Sequence, residues 1–151
     1  MATLLRAVAL ATSIVCSAAA TRVAQSRTEL SELPQVTVEA PDSLAGVAER
    51  VRRFDGTRLR GITRLIGLTE VGPPIRVVLL SEDSAIAGDT PSWVAGFADA
   101  GRDVVALFPA RIGSYPYGSL EEVLHHELAH ILTARAAGGG RIPRWFNEGL
   151  A

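Results

Sequence analysis

His126-Glu127-Leu128-Ala129-His130 is an H-E-x-x-H pentapeptide, the segment whose residue types and spacing can do chemistry. On a helix, positions i and i+4 lie one turn apart on the same face, so both imidazoles can reach one ion. Zinc accepts nitrogen at roughly 2.0–2.1 Å and is commonly tetrahedral, so two ring nitrogens fill half its shell. Glu127 follows the first histidine and projects alongside the pair. A carboxylate there can take a proton from a water that zinc acidifies to a pKa near 7, then pass it to a leaving amine. The roles divide between a metal that makes the nucleophile and polarises a carbonyl, and Glu127 as the base. The competing reading is an ordinary helix whose histidines make polar contacts.

A third ligand candidate follows in Trp145-Phe146-Asn147-Glu148-Gly149-Leu150-Ala151. Glu148 stands 18 residues past His130, across Gly138-Gly139-Gly140 and the Ile142-Pro143 break. His126, His130 and Glu148 are therefore the expected metal ligands, with one zinc ion as the cofactor. His125 points about 100° away from His126 around a helix and should not join the same ion. It is expected to be a buried, hydrogen-bonding histidine. Trp145 and Phe146 are expected to anchor a second helix in the core, in preference to contacting substrate.

These residues need a helix to hold them, and the sequence marks its ends. Ser119-Leu120-Glu121-Glu122 has the form of a capping box. Leu120, Val123, Leu124, Leu128, Ile131 and Leu132 form an apolar stripe, and the three glycines end it. The pattern predicts a helix over about 120–137, then a second helix with Pro143 in its first turn, folding back toward the first.

Upstream, Gln35 to Ala40 alternates and predicts a strand. Leu44, Val47, Val51 and Phe54 recur at helical spacing behind Pro41-Asp42-Ser43. The pattern continues through Leu59, Ile62, Leu65 and Ile66 after an interruption at Asp55-Gly56. Arginines at 50, 52, 53, 58, 60 and 64 decorate this stretch and are read as a solvated face in preference to a site for an anionic partner. Ile75 to Leu80 reads as a buried strand. Ser92 to Ala98 and Val104 to Pro109 read as an antiparallel hairpin. The expected fold class is α+β, with a small, mostly antiparallel sheet, an N-terminal helix and the motif-bearing helix. The strand from Trp93 to Ala98 could offer backbone hydrogen bonds to an extended peptide if it lies at a sheet edge.

Composition narrows the function classes. The chain has 151 residues, 48% hydrophobic and 21% charged, as expected for one globular domain and not for a disordered chain. A net charge of −1 advertises no surface for nucleic acid. Every one of the 15 basic residues is arginine, which reads as a coding bias. One cysteine, Cys16, excludes a disulfide scaffold. Residues 1–20 have the anatomy of a secretory signal peptide: Arg6, an apolar run from Ala7 to Cys16, and Ala18 and Ala20 spaced as at a cleavage site. That run is too short to span a bilayer. The expected localisation is therefore exported, periplasmic or extracellular, or membrane-anchored if the segment is not cleaved. Residues 21–34 read as a linker, leaving 35–151 as the domain. Asn147 to Ala151 reads as the opening of a helix with no finishing signal, as in a piece of a longer protein.

The helix with H-E-x-x-H followed by P-x-W-x-x-E-G-L-A resembles the gluzincin metallopeptidases, in particular the bacterial peptidase MA-like family. Pro143, Trp145, Glu148, Gly149, Leu150 and Ala151 occupy the motif positions. The resemblance is strongest from Gly118 to Ala151 and extends less specifically back to about Gln35. It implies a zincin-type active-site helix, His126, His130 and Glu148 as zinc ligands, Glu127 as catalytic base, and a peptide or protein substrate. It also implies a tyrosine or histidine for the oxyanion and a helical subdomain, both downstream of Ala151. Tyr115 and Tyr117 are weighed as substitutes and read more simply as part of a loop. The alternative is a secreted module that keeps the zinc site for binding or scaffolding without catalysis. An intact Glu127 argues against that, because a structural site has no use for a base.

Overall fold

Short β-branched and apolar runs build a four-stranded sheet, in a computed structural model that describes residues 33–114 and 118–151. The expected signal peptide, and the linker as far as residue 32, lie outside the described residues, as do Tyr115 and Tyr117. Pro34 is already buried, so the domain begins at the end of the expected linker.

The strands are β1 (Val36–Glu39), β2 (Ile75–Leu79), β3 (Gly96–Asp99) and β4 (Val104–Leu107), in the order β1-β2-β4-β3. β1, β2 and β4 run parallel, and only β3 is antiparallel, to β4. The expected hairpin is present, with Gly96 opposite Leu107 and Asp99 opposite Val104. The mostly antiparallel sheet is not, and the connections explain the difference. Parallel neighbours need a crossover. Between β1 and β2 the chain forms helices α1 (Ala45–Arg52) and α2 (Leu59–Leu65), which return it to the end where β1 started. Between β2 and the hairpin lies a short helix, α3 (Ala85–Asp89), and the chain enters β3 from the end where β2 finished, so β3 itself carries it back and leaves β4 parallel to β2. Ser84 caps α3 by accepting from the Ala87 amide. The sequence reading did not find α3. It also began the third strand too early, since Pro91 to Val94 form a turn closed by the Val94 amide on the Pro91 carbonyl.

One sheet face carries the core. Val36 and Val38, then Ile75, Val77 and Leu79, then Val105 and Leu107 pack against Ala48 and Val51 of α1, Leu59 and Ile62 of α2, and a long helix, α4 (Leu120–Ala136). Alternate strand positions face the other way, so Thr37, Glu39 and Arg76 are exposed. The six arginines from 50 to 64 are all exposed, as expected of a solvated face; Arg50 pairs with Glu121 at 2.8 Å.

α4 begins where its capping residues place it. The Ser119 hydroxyl accepts from the Glu122 amide at 3.2 Å, and Glu122 returns to that hydroxyl at 2.7 Å instead of to the backbone amide. All six residues of the expected stripe are buried, and so are His126, Glu127, Ala129 and Thr133. α4 is therefore a central helix, enclosed on more than one side. Gly138 and Gly139 take positive φ values of 55° and 85° after its last turn, a conformation cheap only for glycine. The last helix, α5 (Arg144–Leu150), follows Pro143 and packs back on α4.

Candidate metal centre

Two turns of α4 present His126 and His130 on one face, with their Nε2 atoms 3.1 Å apart. α5 brings Glu148 to them: its Oε2 lies 3.9 Å from His126 Nε2 and 4.0 Å from His130 Nε2. The three donor atoms all fall within 4.8 Å of one another, so the group could hold a metal ion. Ligands at roughly 2.0–2.1 Å on tetrahedral positions stand about 3.3 Å apart. The nitrogen pair matches that spacing closely. The carboxylate oxygen is about half an ångström too far, within the reach of a side chain that is 50% exposed. Two imidazoles and one carboxylate also leave a tetrahedral ion one open position. The residues present fit the group that the sequence pattern implies.

The electrostatics favour neutral rings. Burial first, and the neighbouring His130 ring second, hold His126 below the ordinary histidine value. A neutral imidazole is the form that ligates a metal. Glu127 lies beside the cluster at only 4% exposure. Its carboxyl is pushed up to about 7, chiefly by burial and secondly by the Glu148 charge. That is the range in which a carboxyl can take up and release a proton near neutrality. His130 Nδ1 and Asn147 Oδ1 are buried without a hydrogen-bond partner among the described residues.

The structure thus brings all four sequence-predicted site residues together. His125 is turned away, half-buried, with its ring on the Arg58 backbone and its pKa lowered by burial. The two aromatics beside Glu148, the third ligand candidate, are different. Trp145 is 76% exposed and Phe146 is 40% exposed, so they do not anchor α5 in the core. They pack on each other edge to face, with centroids 5.7 Å apart. Leu150 and Ala151 are half-buried, and Ala151 packs against the core cluster instead.

Two further residues, one against α4 and one behind the segment that leads into β3, had no sequence signal. Gly96 opens the edge strand directly against α4. Arg111 is buried and forks onto Glu82 at 2.8 and 2.9 Å, while its other hydrogens reach the carbonyls of Ala87 and Pro91 at 3.1 Å. Its guanidinium also stacks over the Phe108 ring at 4.1 Å. It ties down the segment that leads into β3. No local pattern distinguishes Arg111 from the exposed arginines.

Comparison with protein-family models, with curated proteins and with solved structures finds no match.

Proposed function

We propose that this chain is an exported zinc metallopeptidase domain of gluzincin type, hydrolysing peptide bonds. The observation that carries the reading is one cluster: the donor atoms of His126, His130 and Glu148 within 4.8 Å, beside a buried carboxyl, Glu127, poised near neutral pH. When bound, zinc polarises a substrate carbonyl and lowers the pKa of water to about 7. Glu127 accepts the proton of the attacking water and passes it to the leaving amine, for which a pKa close to the working pH is best suited. Burial keeps bulk water from competing for that proton.

The edge strand supports a peptide as substrate. In the antiparallel β3–β4 pair the Phe108 amide donates to the Ala95 carbonyl at 2.8 Å. The ladder alternates, so the N–H and C=O of Gly96 and Ala98 point away from β4 to the outer edge of the described sheet, where Gly96 is buried and Ala98 half-buried. An extended peptide can add to such an edge through its own backbone. Export is inferred from the leader pattern of residues 1–20. Among the described residues no helix is long and apolar enough to cross a membrane.

The test is hydrolysis of casein or a peptide library by the purified protein, with and without a chelator, alongside Glu127→Gln. Chelator-sensitive hydrolysis lost in the variant is the expected outcome. Turnover retained in Glu127→Gln would remove its role as base. Zinc bound by a wild type that hydrolyses nothing would favour the binding or scaffold module.

A further inference from the structure

We propose that Gly96 is a positioning residue for Glu127: the missing side chain lets the edge strand settle on α4 and holds the Glu127 side chain in its place beside the candidate metal ligands. The inference rests on the peptidase reading and goes beyond it. A glycine is more costly in conformational entropy than alanine when fixed in extended backbone, by up to about 0.5–1 kcal/mol inside a strand, so its place at the start of β3 needs a reason. Among the described residues the positive-φ glycines are 67, 72, 118, 138 and 139, so backbone conformation is not the reason at Gly96. Space is. A Cβ built at Gly96 would lie 2.8 Å from Leu107 Cδ2, 3.1 Å from Val123 Cγ1 and 3.2 Å from Glu127 Cγ.

The three contacts differ in what can yield. Leu107 Cδ2 is the end of a flexible side chain and can rotate aside. Val123 is β-branched on a helix, where one rotamer dominates, and cannot. Glu127 Cγ is bonded directly to the carboxyl carbon, so moving it re-aims the carboxylate. A side chain at 96 therefore needs a few tenths of an ångström from Val123 and Glu127, taken up by a shift of the strand or a turn of the Glu127 side chain. The same residue, itself buried, directs its backbone N–H and C=O to the outer edge of the described sheet. Its bare Cα thus sets the separation between the peptide-binding edge and the base.

The test compares wild type, Gly96→Ala, Leu107→Val and Gly96→Ala/Leu107→Val, each zinc-loaded, for zinc content, Tm, and kcat and KM on one peptide. Leu107→Val removes the shortest contact and touches no reacting group. It should keep kcat within a few-fold of wild type. Gly96→Ala should retain zinc and lose about 10-fold in kcat with little change in KM, below the roughly 10²-fold scale of a full 1 Å misplacement because the neighbours must give by only a few tenths of an ångström. The double variant should recover part of the Tm lost in Gly96→Ala, since the Val123 contact remains, and should stay slow. Recovery of kcat together with Tm would reduce Gly96 to a packing residue and overturn the proposal, as would an unchanged kcat in Gly96→Ala. A crystal structure of the double variant gives a readout independent of turnover. Glu127 displaced on an unmoved α4 is expected, and Glu127 in its wild-type place overturns the inference. A wild type that binds zinc but shows no hydrolysis defeats the peptidase reading, while the crystal structure still decides whether Gly96 positions Glu127.

Discussion

Replacing Glu127 with glutamine should stabilise the metal-free protein at neutral and higher pH and leave it nearly unchanged in acid. Glu127 is buried and its pKa rises from 4.5 in the unfolded chain to about 7 in the fold. Between those values the folded state holds a proton that the unfolded state has released. Wild-type stability must therefore fall as pH rises through this window and stay lower above it. The gap corresponds to about 3 kcal/mol at 25 °C, most of it the cost of burying the charged form. Glutamine has the same shape and no charge to bury, so its curve lacks that fall. The assay is urea unfolding in the presence of a chelator, followed by far-ultraviolet circular dichroism, at steps from about pH 4.5 to about pH 8. Subtracting one curve from the other cancels every group except residue 127 and those it touches. The difference should grow from near zero to about 3 kcal/mol in favour of glutamine. Parallel curves across the window would show that the Glu127 carboxylate is not penalised by its surroundings, and the argument for it as a base poised near neutrality would fail.

Further outcomes at three residues follow from the packing. Arg111→Met should cost about 3 kcal/mol in urea unfolding, because the Ala87 carbonyl loses a buried donor while Glu82, half-exposed, can return to water. Arg111→Lys should recover only part of that, since one ammonium cannot face the carboxylate and the loop carbonyls together. Ser119→Ala should lower stability by about 1 kcal/mol through loss of the bond to the Glu122 amide; no change would mean that the cap is redundant. Trp145→Ser should leave stability within about 0.5 kcal/mol, because the ring is largely in water; a loss of 2 kcal/mol or more would restore it to the core.

The site was readable in the sequence because its geometry is local. A spacing of four residues on a helix fixes where His126 and His130 point, and Ser119 and Gly138 mark the ends of that helix with side-chain and backbone chemistry of their own. Glu148 is less local, yet the glycines and Pro143 leave only a short return path from α4. What failed was non-local. Strand direction in the sheet depends on where crossovers deliver the chain, and the hairpin of β3 and β4 gave information about one pair alone. The exposure of Trp145 depends on what faces α5, and hydrophobicity alone carries no such information. Gly96 looks like an ordinary break in a strand until α4 is laid against it and Glu127 Cγ is found 3.2 Å from where a Cβ would sit.

The most direct measurement is the zinc content of the reconstituted protein, compared with His126→Ala, Glu148→Ala and Glu127→Gln after exhaustive dialysis. Wild type and Glu127→Gln should each hold about one ion per chain, the number that a single cluster of three donors accepts. His126→Ala should lose the ion, and Glu148→Ala should hold it much more weakly. Zinc retained in His126→Ala, or no zinc in the wild type, would contradict a metal centre built from α4 and α5.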